Sequence, residues 1–150
     1  MVILALAALL AAHTSEFQVP TDSAIAAGAR RVVAAGRNPA MRWPRPTDVR
    51  AGADTLYAAA GGRPLWVRDG GVTPAARALI AALGQAETRG LDPRDYDAAA
   101  LDSLARTLGP SSSDATLAGF DAMLTADALR YLAAVRRGRI DPRMAHGDFH

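Results

Sequence analysis

The stretch "ATLAGFDAMLTADALRYLAAVRR", residues 115–137, decides the fold class of this chain. Ser113 or Asp114 is a suitable cap before it, and Gly138 follows its last arginine. Its apolar residues recur every three or four positions over about six turns, which is the spacing of a helix face. The members of this stripe are Leu117, Phe120, Leu124, Ala128, Tyr131 and Val135. The pattern therefore predicts one long helix that packs along this face.

Shorter helices are predicted upstream, each between a cap and a stop. They begin at the caps Thr21 or Asp22, Thr47, Thr73, and Asp95 or Asp97, and they end before Gly36, Gly61, Gly90 and Gly109. Thr73 is the clearest start because Pro74 follows it, and proline suits the first helical position. The helices indicate a mainly α chain, folded as a small helical bundle-like domain.

Two segments between the helices break this pattern. "RPLWV", Arg63 to Val67, is too short for a helix and predicts one short extended segment. Residues 37–46 contain three prolines and predict a linker, or a loop that packs by Met41 and Trp43.

The N-terminus predicts export. Residues 2–12 are apolar and uncharged, too few to span a bilayer but suited to the core of a signal peptide. The alternatives are a buried terminal helix or a misassigned start. The predicted organisation is a signal peptide at 1–15, an N-terminal helix and Pro-rich linker at 16–46, the helical domain at 47–143, and the start of a downstream region at 144–150. An exported chain would lie in the periplasm or cell envelope.

Charge and cysteine usage exclude several classes of function. The 17 basic and 15 acidic residues give a net charge of +2, and every basic residue is arginine. Arginine and aspartate alternate along the chain, so the basic face that nucleic-acid binding requires is missing. The chain has no cysteine, which excludes disulfides, thiolate zinc sites and a thiol nucleophile within it.

"RGLDPRDYD", residues 89–97, raises the question of a cation loop. Asp92, Asp95 and Asp97 follow an i, i+3, i+5 spacing. A calcium loop would also need a glycine at its bend and a closing bidentate glutamate, and neither follows. Turn chemistry explains the stretch better, with Gly90 as a left-handed helix stop, a proline turn, and an aspartate capping the next helix.

The other polar residues give no catalytic or cofactor site. His146, Asp148 and His150 could face one side of a strand, but at a chain end we interpret them as adventitious and predict no metal or other cofactor. No nucleophile elbow or phosphate-binding glycine loop occurs. Asp121 and Asp127 are too far apart for an acid and base pair, which predicts solvated or capping roles.

Three segments, taken in order, resemble a known family. They are "LYAAAGGRPLWV" (56–67), "GLDPRDYDAAAL" (90–101) and "FDAMLTADALRYLAAVRRGRIDP" (120–142). Together they resemble the N-terminal scaffold domain of the large bacterial L,D-transpeptidases. The positions that carry the resemblance are Tyr57, Pro64, Trp66, Gly90, Leu91, Pro93, Tyr96, Asp121, Thr125, Tyr131, Gly138 and Pro142.

The resemblance implies an exported cell-wall protein. In that family the helical domain supports a peptidoglycan-binding module and a transpeptidase domain, whose cysteine and histidine form 3→3 peptidoglycan cross-links. Because this chain has no cysteine, none of that catalytic machinery can be assigned to it. We therefore predict a non-catalytic scaffold domain, either a fragment or a truncated homologue.

Two alternatives remain open. One is a free-standing periplasmic helical module that binds a wall enzyme or peptidoglycan through its helix ends and arginine-rich exits. The other is an unrelated helical domain. Under the scaffold interpretation the shared residues are architectural: Tyr57 and Trp66 anchor the helices, Thr125 bonds back to the preceding turn, and Tyr131 brings its hydroxyl to a polar partner at the core edge.

Overall fold

Helices form most of this protein. The computed structural model describes residues 22–43 and 49–137. The helices are α1 (Asp22–Ala34), α2 (Arg50–Ala59), α3 (Pro74–Gly84), α4 (Ala98–Thr107) and α5 (Asp114–Arg137). Two short strands, β1 (Val67–Arg68) and β2 (Gly71–Val72), pair antiparallel, and two 3₁₀ turns cover Ala86–Arg89 and Pro93–Tyr96. The predicted mainly α class is confirmed.

Helix α5 lies at the centre of the fold. The predicted stripe accounts for only one of its faces, because almost every side chain from Leu117 to Ala128 is buried. The other helices pack around it, and α1 makes the most extensive contact. A helix that is buried all round belongs in the interior of a domain. The single-stripe prediction was therefore too narrow.

Helix α1 packs closely against α5 and shares its hydrophobic core. Its inner face consists of Ile25, Ala29 and Val33, all buried. Gly28 brings the two backbones together, because a Cβ at this position would lie only 2.8 Å from the Cβ of Ala118. The short helix that the sequence placed before the Pro-rich segment is thus part of the same core as α2 to α5.

The extended segment is one arm of a tight hairpin. The sequence predicted a single extended piece, whereas the structure pairs Val67 with Val72 across a two-residue turn. Asp69 and Gly70 form that turn with φ of 50° and 73°, as a type I′ hairpin requires. Two residues per strand are too few to produce an alternating pattern, so no periodicity indicated the second strand.

Several predicted helix boundaries are confirmed. The Thr73 side chain accepts from the Ala76 N–H at 3.2 Å, and Pro74 is the first residue of α3. Ser113 caps α5 by accepting from the Thr116 N–H at 3.2 Å. Gly90 adopts the predicted left-handed conformation at φ 69°.

The helix predicted up to Gly90 is divided in two. Helix α3 ends at Gly84, and a 3₁₀ turn continues from Ala86 to Arg89. The Gln85 N–H is shared between the carbonyls of Ala81 and Ala82, at 3.1 Å each. Such sharing tightens the last α-helical turn into 3₁₀ geometry, and glycine is a weak helix former at this point.

The aspartate cap predicted before α4 was assigned to the wrong residues. Asp92 caps the 3₁₀ turn instead, accepting from the Arg94 N–H at 2.9 Å. Asp97 occupies the N-cap position of α4 but its side chain makes no cap bond. Its carboxylate accepts from the Arg42 N–H at 3.0 and 3.1 Å. A contact across 55 residues therefore replaces the local one.

The segment before α2 also differs from expectation. Met41 is buried as predicted, but Trp43 is 51% exposed. Other predicted features lie outside the described residues: the signal peptide at 1–15, the caps Thr21 and Thr47, the end at Gly138 and Pro142, the set His146, Asp148 and His150, and the 144–150 region. Within the described residues, no helix is long and apolar enough to cross a membrane.

The close approach of α1 and α5 can be tested with two glycine substitutions. We expect Gly28→Ala to lower the free energy of unfolding by about 1 to 3 kcal/mol, because the added methyl overlaps Ala118 and the helices must separate. Gly119→Ala in α5 is the matched control, since, apart from the adjoining helix backbone, no described atom lies within 4 Å of the position of its added methyl, and alanine favours the helix by about 0.5 to 1 kcal/mol. Urea denaturation measures both, and equal effects would contradict the packing argument.

Candidate functional site

A buried polar cluster joins α2, α5 and the segment that leads into β1. We call it the Asp121 cluster, and its members are Tyr57, Leu65, Trp66, Asp121 and Thr125. Tyr57 comes from α2, whereas Asp121 and Thr125 lie one turn apart on α5. Asp121, Thr125 and Tyr57 are at most 1% exposed.

The Asp121 carboxylate is the acceptor at the centre of the cluster. The Tyr57 hydroxyl donates to Oδ1 at 2.7 Å. The backbone N–H of Trp66 donates to Oδ2 at 2.7 Å, and that of Leu65 donates to Oδ1 at 3.3 Å. Both carboxylate oxygens are therefore satisfied, which is the condition for burying a charge without a large penalty.

Thr125 completes the cluster from the next turn of α5. Its hydroxyl donates to the main-chain oxygen of Asp121 at 2.7 Å and accepts from Nε1 of Trp66 at 2.9 Å. It also lies 3.2 Å from the Tyr57 hydroxyl. Each hydroxyl has one proton, and both protons are donated to Asp121, so neither hydroxyl has a proton left to donate across this last contact.

Electrostatics keep the Asp121 cluster chemically inert. Burial raises the pKa of Asp121, while the hydrogen bonds from Tyr57, Trp66 and Leu65 act in the opposite direction. Burial and the neighbouring Asp121 raise the pKa of Tyr57 far above its ordinary value, so this phenol keeps its proton. A sealed carboxylate and a permanently protonated phenol cannot exchange protons with a substrate, so the cluster acts as a structural joint.

Asp127 is a second buried carboxyl on α5, and it has a different environment. Its side chain is 0% exposed, and neither oxygen has a hydrogen-bond partner. Burial raises its pKa to about 8; Asp97 adds to the rise and Arg130 opposes it. The prediction that Asp121 and Asp127 are solvated or capping is wrong for both. That prediction assumed that aspartates on a helix face water, and here the tertiary contacts override it.

The remaining resemblance positions lie around α5 or in the turns. Tyr96 and Tyr131 pack edge to face, with ring centroids 5.3 Å apart and planes at 86°. Pro64 is buried just before the Asp121 cluster, and Pro93 opens the second 3₁₀ turn. The Leu91 N–H donates to the Ala86 carbonyl at 3.1 Å, next to Gly90. Gly138 and Pro142 lie outside the described residues.

No described feature resembles a catalytic or metal centre. A shallow surface depression is lined by Glu87, Leu91, Asp92, Pro93 and Arg94. Among residues 22–43 and 49–137, no group of three or more His, Cys, Asp or Glu could hold a metal ion. The described residues do form the Asp121 cluster, whose carboxylate is buried and hydrogen-bonded. The sequence pattern included four of its side chains, Tyr57, Trp66, Asp121 and Thr125, but did not predict that they are in contact. The feature that could have indicated a buried polar cluster is the position of Asp121 and Thr125, one turn apart, on a helix with apolar residues on every side.

The fold and the Asp121 cluster define a helical domain with a hydrophobic core in which one buried polar cluster joins α2, α5 and the segment before β1. The family model described as "Scaffold domain" matches residues 52–150. This chain belongs to the Scaffold domain family, a non-catalytic family, and the match confirms the resemblance seen in the sequence. No curated protein and no solved structure matches the chain.

The role of Thr125 can be separated from a general effect of threonine in a helix. We expect Thr125→Val to lower the free energy of unfolding by about 1 to 2 kcal/mol, because the Trp66 indole N–H loses its acceptor. Thr55→Val is the matched control: Thr55 also bonds back four residues, to Ala51, but it is exposed on α2. We expect a change within about 0.5 kcal/mol for this control. Denaturant titration measures the free energy of unfolding. Similar losses in both variants would contradict the role of Thr125 in the Asp121 cluster.

Proposed function

We propose that this chain is the scaffold domain of an exported L,D-transpeptidase-type protein that takes part in peptidoglycan cross-linking. In this proposal the domain performs no chemistry of its own. It holds a peptidoglycan-binding module and a transpeptidase domain in a fixed arrangement in the periplasm or cell envelope.

The observation that carries the proposal is the convergence of the resemblance residues. Tyr57, Trp66, Asp121 and Thr125 come from three segments of the chain, with more than 50 residues between those of α5 and the others, and they form one hydrogen-bonded unit around the buried Asp121. Residues with a catalytic role would have to reach a substrate, whereas Tyr57, Asp121 and Thr125 are buried and the indole N–H of the half-buried Trp66 is used on Thr125. The pattern shared with the transpeptidase scaffold is therefore one that specifies a fold, as expected of a supporting domain.

The composition of the chain agrees with a supporting role. The transpeptidase reaction proceeds through a thiolate, and these 150 residues include no cysteine. Helix α5 has 24 residues, which corresponds to a rod about 36 Å long. Because its middle is packed on all sides, this rod gives a rigid support for the modules that the proposal places next to it.

Absence of turnover by this chain is the first test. We expect the purified chain to form no 3→3 linked dimers from tetrapeptide stems, because it has no thiol to form the acyl-enzyme. Mass spectrometry of the digested muropeptides detects the dimers. A 3→3 dimer produced by the pure chain would contradict the non-catalytic role.

The same assay on the product of the whole gene tests the transpeptidase assignment. We expect that product to form 3→3 dimers, and to lose this ability when its nucleophilic cysteine is changed to serine. If the gene encodes no such cysteine, or if its product forms no dimers, the free-standing interaction module is the better interpretation and the proposal fails.

Export can be tested with the N-terminal segment alone. A fusion of residues 1–30 to a reporter that is active only outside the cytoplasm should give signal, because residues 2–12 suit a signal-peptide core. Replacing Leu4 and Leu9 by Arg should abolish the signal, since charges interrupt that core. A reporter that stays cytoplasmic would remove the support for an exported protein.

A further inference from the structure

Among the described residues, the two carboxyl oxygens of Asp127 are the only buried side-chain polar atoms without a hydrogen-bond partner. Asp121, six residues earlier on the same helix, has a donor for each oxygen, whereas Asp127 is fully buried and has none. Six residues place the two side chains about 120° apart around the helix, so they face different neighbours. Packing alone does not require an acid at this position, because asparagine or leucine would fill a similar volume.

Two charged groups act on Asp127, and both also hold the segment 41–43. Asp97, at the start of α4, accepts from the Arg42 N–H at 3.0 and 3.1 Å. Arg130, on the next turn of α5, donates to the Trp43 carbonyl at 3.3 Å. The pKa of Asp127 responds to both of them. Two of the contacts that fasten this segment to the helical core thus come from residues that sense the charge on Asp127; the Arg42–Asp95 ion pair and the buried Met41 are further contacts.

The surroundings of Asp127 contain few other ionisable groups. The described groups that interact with it are Asp97 at the start of α4, Tyr96 in the 3₁₀ turn and Arg130 on α5 itself. Within the described ranges, α1, α2 and α3 contribute no charged group that shifts its pKa. A charge on Asp127 would therefore act mainly on Asp97 and Arg130.

We propose that Asp127 is a proton switch that fastens the segment 41–43 to the helical core. When Asp127 carries its proton, Asp97 and Arg130 keep their contacts with Arg42 and Trp43. When the proton leaves to solvent, the new carboxylate repels Asp97 and attracts Arg130 away from the Trp43 carbonyl. Both of these contacts then weaken, which favours opening of the segment against its remaining contacts, the Arg42–Asp95 ion pair and the buried Met41.

The sign of the pH effect follows from where the proton is held more tightly. The closed form holds the proton of Asp127 up to about pH 8, whereas in the proposed open form, in which water reaches Asp127, the proton would be lost near pH 4. Between these values the closed form carries one more proton than the open form, so raising the pH favours opening. One such group changes the equilibrium by about tenfold per pH unit, and the effect levels off above the closed-form pKa.

Carbon-13 NMR of the aspartate carboxyls tests the switch directly on the whole chain. We expect the Asp127 resonance to titrate near pH 8. Titration below about pH 5 would overturn the proposal, because the group would then be ionised in the closed form at neutral pH. This measurement uses the unchanged protein, so it does not depend on whether a substituted protein folds.

Hydrogen exchange tests whether the segment responds. After correction for base catalysis, the protection of the Arg42 amide should fall about tenfold per pH unit between pH 5 and 8. In Asp127→Asn, which mimics the protonated acid, it should stay constant within about twofold. Asp102→Asn is the control, because Asp102 is half exposed and pairs with Arg106, and it should retain the profile of the unchanged protein.

The amide of Thr125 separates local release from global unfolding. We expect it to stay far better protected than the Arg42 amide at every pH, because it lies in the buried middle of α5. The proposal is overturned if the two amides show equal protection throughout, or if Asp127→Asn leaves the pH profile of Arg42 unchanged. It concerns the fold of this chain only, so its failure would leave the transpeptidase assignment untouched.

Discussion

The buried carboxylate of Asp121 is the constraint on which the rest of the fold depends. A charge in the interior is tolerated only when its oxygens are hydrogen-bonded, and here the donors come from α2 and from the backbone before β1. If either element moved, the carboxylate would lose a donor and the free energy of burial would become strongly unfavourable. Hydrophobic contacts could allow several registers of these elements, but the hydrogen bonds of Asp121 allow one.

Small residues allow this polar joint to lie within a well-packed helical core. The core contains few aromatic side chains and many alanines, so its helices approach closely instead of being separated by large side chains. Gly28 against Ala118 is one such close approach. Close packing limits how far α5 can shift. Because α5 carries both Asp121 and Thr125, limiting its movement also preserves the geometry of the hydrogen bonds.

Sequence periodicity predicted what depends on local chemistry and failed where distant partners decide. Thr73, Ser113 and Gly90 were assigned correctly because a cap or a left-handed stop needs only its neighbours in the chain. The burial of Asp121 depends on Tyr57, 64 residues away, and no periodic pattern encodes that distance. Asp97 is a similar case, since its carboxylate binds Arg42 rather than the helix it precedes. The family resemblance was informative for the same reason: it is a pattern over distant positions.

The two buried aspartates show why a supporting domain retains polar groups in its interior. Replacing Asp121 alone by a hydrophobic residue would leave the donors of Tyr57, Leu65 and Trp66 without their acceptor, so its carboxylate cannot be removed without loss of stability. Its hydrogen bonds fix the direction in which the segment before β1 leaves α2, and a support is useful only if such directions are fixed. Asp127 has no donors and fixes nothing by hydrogen bonding. Its effect depends on whether it carries a proton. Helix α5 thus combines the Asp121 cluster, which is held by its hydrogen bonds, with the proposed pH-dependent contact of Asp127 on another side.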